Sequence, residues 1–434
     1  MAASGTIRCA GERDLMKQKY SFVRLLSINS YWFGLSFLWN TLHPIVLPAI
    51  LLNYVPETSK NTYLGLLTFA GLLLAMLIQP LSGALSDRSG SRWGKRGPFI
   101  AIGTIFDMGV LLALAFANSL LGIFLGYVSL QIASNIAQGP MQAVIPDLVP
   151  ERQKGLASGI KNFMDMAGVI SASVLAGILL DPASSNPLPV FLVVMGVLGF
   201  SAIITLLSIQ DRQKGAASQV KEPVSLKTVF AFDRKAHQSF SNLLVSRFIF
   251  LLGVYGIQTF AQYYIRDVLA VENAVAATSS LMIVIAGTLT VSVLIAGWVT
   301  DRSAPERLMS IAMLVTAAGG LLLVFIQDMQ TLMIVAGFIG AGLGLFLTSS
   351  WAMAVKLAPS DQAGRFLGLT NLATAGASAI GKLEGPLIDV ANQMAPGLFL
   401  GYRFLFLFCF ACSLFGYFVF KTMNKRQEQA KGEN

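Results

Sequence analysis

Charge is scarce in this sequence, because Asp, Glu, Lys and Arg make up only 12% of its 434 residues. A soluble protein carries about 25% charged residues, so the chain has about half the charge that a water-facing surface needs. A soluble enzyme, a coiled coil and a disordered chain are therefore excluded. The three cysteines and two histidines are also too few for a disulfide framework or a Cys/His metal cluster. We therefore expect no bound metal.

What the sequence has in excess is apolar side chains, which make up 55% of the chain. That fraction is about 239 residues, and twelve membrane-spanning helices of ~20 residues each need about 240. Apolar runs of spanning length lie at about 27–52, 62–86, 98–117, 120–146, 156–180, 188–209, 241–265, 276–300, 307–326, 330–355, 366–389 and 401–420. The sequence thus predicts an all-α membrane protein with twelve transmembrane helices.

Positive charge is distributed unevenly around these spans. The net charge is +9, and most Lys and Arg residues fall on the side that contains both termini. The loops of the other side contain only Lys60, Arg266 and Arg403. Because Lys and Arg concentrate in cytoplasmic loops, we expect a multi-pass protein of the plasma membrane with both termini in the cytoplasm. The positive net charge is then explained by this orientation, and no nucleic-acid partner is expected.

The longest polar stretch, 211–239, divides the chain and includes the amphipathic run SLKTVFAF. We expect it to be a cytoplasmic linker with a short surface helix, between one six-helix bundle at 1–210 and a second at 240–434. The halves repeat each other, since Gly-x-x-x-Asp-Arg follows both the second and the eighth span. An internal duplication of this kind is typical of transporters with two related halves.

Two loops have a more specific pattern. GALSDRSGSRWGKRGPF runs from Gly83 to Phe99, and IPDLVPERQKGLASG runs from Ile145 to Gly159. The first resembles the signature of the major facilitator superfamily after its second span, and the other resembles the superfamily's loop after the fourth span. The SRWGKRGPFI block is most similar to the glycoside and sucrose cation symporters. Those proteins usually have R-R-R-P at this point, whereas this chain has K-R-G-P, with Gly97 in place of the last arginine. The resemblance implies two pseudo-symmetric six-helix bundles that alternate access to a midplane site.

The first loop predicts a cytoplasmic gate. Gly83 permits close helix contact, and Asp87 is expected to accept hydrogen bonds from a helix end in the opposite half, with nearby arginines completing the network. The predicted gating residues of both copies are Gly83, Asp87, Arg88, Arg92, Asp301 and Arg302. Alternatively, the basic side chains anchor phospholipid headgroups, which makes membrane lipids an expected partner.

Polar residues inside the spans are costly and are expected to face a cavity or a partner. Four amides of span 4 share one helical face, namely Gln131, Asn135, Gln138 and Gln142. They either line a solute cavity or join neighbouring helices. In span 1, an aromatic ring beside hydrogen-bonding groups suits a sugar. The predicted solute-binding residues are Trp32, Asn40, Gln131, Asn135, Gln138, Gln258, Gln262, Trp351 and Asn371.

Three titratable residues inside the spans are predicted to couple ion movement to transport: Asp165, Asp107 and His43. A desolvated carboxyl group suits proton coupling, and Asp165, near the midplane, is the preferred one. Alternatives stay open for each residue. Lys161 is a possible ion-pair partner of Asp165 or of Asp107, and His43 has a capping or packing role as its alternative.

Two further charged residues lie toward the outer end of span 11. Lys382 and Glu384 are interpreted as structural, with Arg403 at the start of span 12 as the expected partner of Glu384. The run GASAIGKL that ends just before Glu384 lacks the Ser or Thr of a phosphate-binding loop. ATP-driven transport is therefore unsupported, and no enzymatic motif is present.

These patterns together predict a monomeric secondary transporter without a cofactor. It moves a small polar organic solute, a sugar or glycoside, with a cation; the proton is preferred to sodium because carboxyl groups lie within the spans. Two alternatives use the same fold: a membrane protein that handles lipid or pigment, and an efflux antiporter. Fold-level resemblance does not choose among them.

Overall fold

The computed structural model describes residues 19–91, 93–180, 186–209, 237–300, 305–359 and 362–432. These residues form helices and turns, with no β-strand among them. The protein is an all-α membrane protein, as the apolar composition predicts. Three predicted gating residues, Arg92, Asp301 and Arg302, and most of the predicted linker at 211–239 lie outside the described residues.

Fifteen α-helices are described, numbered here in chain order: α1 Phe22–Thr41, α2 Leu47–Leu51, α3 Lys60–Asp87, α4 Gly97–Ala115, α5 Leu120–Gln142, α6 Val144–Leu148, α7 Lys154–Leu179, α8 Leu188–Ile209, α9 Gln238–Asp267, α10 Ala274–Thr300, α11 Pro305–Leu323, α12 Met329–Leu357, α13 Ala363–Gly381, α14 Glu384–Met394 and α15 Leu400–Gly432. Short 3₁₀ turns at Glu57–Ser59 and Glu151–Gln153 precede α3 and α7. A π-helix at Leu42–Val46 joins α1 to α2.

Within the described residues, eleven helical segments are long and apolar enough to cross a membrane. They match the predicted spans except the one at 366–389, which consists of the two helices α13 and α14. Proline explains the interruption. In a continuous helix, Pro386 would lack the N–H for the carbonyl of Lys382, and its ring would clash with that carbonyl. In the structure α13 ends at Gly381, and Pro386 falls in the first turn of α14, where a missing N–H costs nothing.

The end of span 1 is irregular for a similar reason. Pro48 stands near the start of α2 and Pro44 within the π-helix, so two backbone donors are missing from this end of the span. The hydroxyl group of Tyr263 donates to the carbonyl of Pro48 at 3.0 Å. That bond satisfies an acceptor which the regular helical pattern leaves free.

The chain divides into two compact units. The first unit comprises Met1–Thr41, Leu74–Ala172 and Leu188–Lys221. It contains all of α1, α4, α5, α6 and α8, most of α7 and the second half of α3. Small residues let its helices approach: a Cβ at Gly103 of α4 would lie 2.7 Å from the carbonyl oxygen of Ala133 in α5. Close backbone contact at small residues is how membrane helices gain packing energy without a hydrophobic driving force.

The second unit comprises Leu42–Leu73, Ser173–Pro187 and Glu222–Asn434. It holds α9 to α15 and also the 42–73 segment, which includes the π-helix and the first half of α3. Its helix α12 is capped by Asp328, whose carboxylate accepts the backbone N–H of Thr331 at 2.8 Å. That bond holds the pKa of Asp328, which lies in a loop, below its usual range. The predicted division of the chain at 211–239 stays a prediction.

Large apolar side chains are exposed on both units, including Leu77, Ile105, Phe200, Leu294 and Phe338. Patches of this extent would cause a soluble protein to aggregate. On membrane helices they form the surface that contacts lipid.

Candidate functional site

The first unit brings together an aromatic ring, an ammonium group and a carboxylate. The Nζ atom of Lys161 lies 4.1 Å from the ring centroid of Trp32 and 2.8 Å from Oδ2 of Asp165. The side chains of Lys161 and Asp165 are 29% and 25% exposed, so this ion pair is not sealed within the unit. The structure thereby selects Asp165, rather than Asp107, as the partner of Lys161.

Span 1 and span 5 hold this group in place through close packing. Gly168 of α7 leaves room for the backbone of Phe33, since a Cβ there would lie 2.7 Å from the Phe33 carbonyl oxygen. The hydroxyl group of Ser36 donates to the backbone carbonyl of Asp165 at 2.7 Å. Asn40 donates in turn to the carbonyl of Ser36 at 2.8 Å. Trp32, Asn40 and Asp165, three of the predicted site residues, therefore belong to one connected group.

The amide stripe of α5 divides into two parts. Gln131 and Asn135 are buried and bonded within the helix: Gln131 donates to the Tyr127 hydroxyl at 2.8 Å, and Asn135 donates to the Gln131 carbonyl at 2.7 Å. Gln138 is half-buried and Gln142 is exposed. Ser82 of α3 donates to the Asn135 carbonyl at 2.9 Å. The two buried amides contribute to helix packing here, and their contact with a solute stays a prediction.

Asp107 lies fully buried in α4, with an exposed fraction of 0%. Its carboxylate has no ion-pair partner among the described residues, and the Ser134 hydroxyl of α5 is close enough to interact with it. Tyr31 of α1 lies within electrostatic range, and its hydroxyl accepts a hydrogen bond from Thr104 at 2.9 Å. An ionised carboxylate with no partner costs several kcal/mol to bury, so this environment favours the neutral acid. Asp107 thus stays a candidate for proton coupling.

The predicted solute-binding residues of the second unit do not form one packed cluster. Gln258, Trp351 and Asn371 are exposed, whereas Gln262 is buried and its Oε1 atom has no partner. Arg247 of α9, to which the sequence analysis gave no role, is also buried. Its Nε atom donates to the Thr374 hydroxyl at 3.0 Å. Its Nη1 atom donates to Ser350. Arg247 therefore joins α9 to α12 and α13.

The outer end of span 11 contradicts one interpretation made from the sequence. Glu384 does not pair with Arg403: both its carboxylate oxygens lack a hydrogen-bond partner, and Arg403 is exposed. The break before α14 turns Glu384 inward, toward α9, instead of toward the start of α15. His43 lies in the π-helix, half-buried and within electrostatic range of Lys382.

Arg96 is the centre of the basic loop after α3. Its guanidinium group lies 2.5 Å from the carboxylate of Asp87 and 2.8 Å from that of Asp147, and it donates to the Gly83 carbonyl at 3.3 Å. The predicted gating residue Arg88 is exposed instead. Sequence reasoning placed Asp87 and Gly83 in a network but did not select Arg96. The sequence feature that could have identified Arg96 is the opposite charge of Asp147, which lies in the quoted loop from Ile145 to Gly159.

A second charged cluster, missed from the sequence, lies where α3 begins and α9 ends, and we call it the outer cluster after the side on which the predicted topology puts it. Lys60 pairs at 2.7 Å with both Asp267 and Glu57, and Arg266 pairs with Glu57 at 2.5 Å. Asp389 accepts hydrogen bonds from the Asn61 side chain at 2.8 Å and the Thr62 backbone at 2.7 Å. These side chains line a cavity of about 550 Å³ within the second unit.

Comparison with known proteins identifies the family to which this chain belongs. The profile of the Major Facilitator Superfamily matches residues 21–382. The chain belongs to the Major Facilitator Superfamily. It is therefore a multi-pass membrane transporter, of a family that binds small-molecule solutes.

The relatives divide between two transport classes. The chain is 23% identical to multidrug resistance protein MdtG of Serratia proteamaculans, over 84% of this chain and 87% of the relative. It is 30% identical to proton-associated sugar transporter A of Rattus norvegicus, over 46% of this chain and 29% of that one. It is 25% identical to sucrose transport protein SUT2 of Oryza sativa subsp. japonica, in an alignment that covers 50% of this chain and 50% of that one. The resemblance to the sugar symporters is confirmed at this level.

A solved structure of the nucleoside transporter NupG, in a mutant form, has the same fold. The TM-score is 0.72 with 14% sequence identity, over 92% of this chain and 99% of that one. At this identity the likeness concerns the fold alone, and the fold agrees with the family.

Proposed function

We propose that this member of the Major Facilitator Superfamily is a symporter that takes up a sugar or glycoside together with a proton by alternating access. The observation that carries the proposal is the group of Trp32, Lys161 and Asp165, with Asn40 beside it. The two charged side chains are partly exposed, whereas the Trp32 ring is buried under Lys161 and becomes available to a solute when that side chain moves away. An aromatic face stacks on the C–H face of a sugar. The charged pair and the amide supply hydrogen bonds for its hydroxyl groups.

The proton is the proposed coupling ion because carboxyl groups are embedded in the spans. Asp165 can exchange its partner Lys161 for a proton, and Asp107 has only the Ser134 hydroxyl, and no cation, beside it. Sodium needs several oxygen ligands at once. Among the described residues, no three His, Cys, Asp or Glu side chains are grouped to hold a metal ion. The protein acts as a monomer in the plasma membrane, with both termini in the cytoplasm.

Counterflow in proteoliposomes tests the substrate class. Vesicles loaded with one sugar of a panel are diluted into a trace of the same radiolabelled sugar, and exchange is measured. We expect transient accumulation of at least one sugar, and Trp32→Leu should reduce it by about tenfold because stacking of this kind contributes ~1 kcal/mol or more. Trp298→Leu, which removes an exposed indole ring from α10, is the control for loss of a tryptophan elsewhere, and thermal unfolding of both variants shows whether removal of the buried Trp32 ring lowers stability. Absence of exchange for every sugar overturns the proposal.

A second function is supported by the MdtG relative, which aligns over most of both chains. In that case the protein is an antiporter that exports a drug-like compound. Inverted vesicles distinguish the two proposals, since an antiporter accumulates a dye such as ethidium when the vesicle interior is acidified. A symporter of sugar does not.

A further inference from the structure

The interruption of span 11 places two charged residues in the interior of the second unit. Lys382 lies at the end of α13, and its Nζ atom donates to the hydroxyl group of Thr259 in α9 at 2.5 Å. Glu384, two residues later, begins α14 and is 5% exposed. Neither residue is needed by the sugar site proposed above.

Glu384 occupies a space that only glycine leaves open. A Cβ atom at Gly256 of α9 would overlap Oε2 of Glu384. The helix therefore passes directly against the carboxyl group. Cys409 and Cys412 of α15 are within electrostatic range of Glu384, and both are buried. The titratable groups in electrostatic range of Glu384 thus include these two buried thiols and Lys382, and Asp389 follows five residues later on the same helix.

The nearest cation does not bond to this carboxyl group in the structure. The Lys382 ammonium group donates to Thr259, and both Glu384 oxygens lack a hydrogen-bond partner. His43, on the π-helix, lies within electrostatic range of Lys382 on another side. Burying an ionised carboxylate without a partner costs several kcal/mol, whereas a neutral acid avoids most of that cost. The arrangement therefore fits a protonated Glu384.

The same two residues can also form a second arrangement. If Glu384 is ionised, the Lys382 ammonium group is the cation placed to compensate it, and the two then form an ion pair across the turn. Proton binding changes the pair from neutral to singly positive and releases Lys382 to Thr259. A pair with two such arrangements changes its contacts when it gains or loses one proton.

A route for the proton leads from the cavity of the outer cluster. Glu384 and Asp389 share the buried face of α14, and five residues of helix span about 7.5 Å. Asp389 lines the cavity together with Asn61, which is fully buried and whose Oδ1 atom has no partner. Glu384 does not line the cavity itself. A proton that leaves a hydronium ion in the cavity, with a water molecule left behind, has to cross this distance along α14 before it binds a Glu384 oxygen.

We propose that Glu384 is a second proton-binding site of this transporter, loaded through the cavity beside Asp389, with Lys382 as the positioning residue that exchanges between Glu384 and Thr259. The coupling part of this proposal rests on the proposed proton symport. Proton binding itself does not, because it is a property of the purified protein.

Infrared spectroscopy tests proton binding directly. A protonated carboxyl group absorbs apart from carboxylates, and exposed carboxyls are ionised at pH 7, so protonated-acid absorption at this pH comes from buried groups. We expect Glu384→Gln to remove part of that absorption from protein in liposomes. Glu384→Asp should retain it at a shifted frequency, which also shows that the site tolerates substitution. Glu272→Gln, which removes an exposed carboxyl, is the control. An identical spectrum for the Glu384→Gln variant overturns the proposal.

A transport measurement shows whether proton binding at Glu384 is coupled to movement of the solute or has no part in it. With radiolabelled sucrose as the probe and an inward proton gradient, Glu384→Gln should lower the accumulation ratio to about one while counterflow persists. Undiminished accumulation by this variant overturns the coupling role. If the unmutated protein exchanges no sugar in counterflow, the proposed function has failed, and the infrared spectrum still decides whether Glu384 binds a proton.

Discussion

Asp165 combines a fixed cationic partner with partial exposure. Its carboxylate lies 2.8 Å from Lys161, which also lies over the ring of Trp32. A proton arriving at Asp165 frees the ammonium group to bind a solute hydroxyl or to stay on the ring. In the proposed symport, binding of the solute and binding of the proton are linked through this one lysine, and by thermodynamic necessity the linkage is reciprocal.

Replacement of Asp165 by Asn should separate coupling from binding. The amide keeps the size of the side chain but cannot bind a proton, so we expect Asp165→Asn to abolish uphill uptake while sugar exchange in counterflow persists. Accumulation against a gradient is the measurement. Glu151→Gln, at an exposed ion pair with Lys154, is the control and should accumulate normally. Full accumulation by the Asp165 variant removes this residue from the mechanism.

At the scale of helices, small residues determine how closely α3, α4 and α5 approach. At Gly139 of α5, a Cβ would overlap the carbonyl oxygen of Gln79 in α3. This contact is to backbone, which moves only with its helix. At Gly196 of α8, no heavy atom lies within 4 Å of such a Cβ.

The same substitution at these two glycines should have opposite effects on stability. Gly139→Ala is expected to lower the free energy of unfolding by about 1–3 kcal/mol through overpacking. Gly196→Ala should leave it unchanged or raise it by up to about 1 kcal/mol, because alanine is the better helix former. Thermal unfolding in detergent measures both. Equal melting temperatures for the two variants would contradict the packing described for α3 and α5.

The interruption of span 11 also belongs to this scale. Pro386 is visible in the sequence, but the apolar run around it continues to 389, so hydropathy alone predicted one span. Only the structure shows that the interruption turns Glu384 toward α9. Periodicity and hydropathy describe residues along one helix, whereas the direction of a side chain after a break depends on the neighbouring helices.

At the scale of the molecule, the outer cluster connects segments that are distant in sequence. Lys60 and Asp267 are 6% and 11% exposed at their side chains, and Tyr402 also donates to Asp267 at 2.7 Å. Removal of one member of a buried pair leaves the other charge uncompensated. That loss usually costs about 3–5 kcal/mol.

A double-mutant cycle should reveal this dependence. We expect Lys60→Gln to destabilise the protein strongly, and Lys60→Gln combined with Asp267→Asn to destabilise it less than Lys60→Gln alone. Chemical unfolding in detergent supplies the four free energies. Lys154→Gln, at an exposed pair, is the control and should change stability by at most about 1 kcal/mol. Simple additivity of the two changes would show that the pair contributes no coupling.

The orientation predicted from loop charge can be tested by cysteine labelling. Asn118 and Glu151 are exposed and lie in loops on opposite sides of the predicted topology, and Cys409 and Cys412 are buried. In a Cys9→Ser background, an impermeant maleimide added to intact cells should label Asn118→Cys. It should label Glu151→Cys only after lysis. The reverse pattern would invert the orientation and with it the assignment of the basic loop as cytoplasmic.

Much of this protein follows from local sequence. Scarce charge and long apolar runs determined a helical membrane protein, because a bilayer requires every backbone polar group to bond within its own helix. Eleven predicted spans correspond to helical segments long and apolar enough to cross a membrane, and the loop motifs indicated the family that comparison confirmed. Trp32, Asn40 and Asp165 were also selected by residue type and helical spacing, and the structure joins them.

Only the tertiary structure decided which charges meet. Lys161 pairs with Asp165 and not with Asp107, Arg96 rather than Arg88 bridges Asp87, and Glu384 has no arginine partner among the described residues. The outer cluster was invisible because its members are far apart in sequence. Hydropathy and spacing record which residues enter the membrane. The partners of a buried charge depend on how helices pack in three dimensions, and in a low dielectric those partners determine whether the charge is ionised.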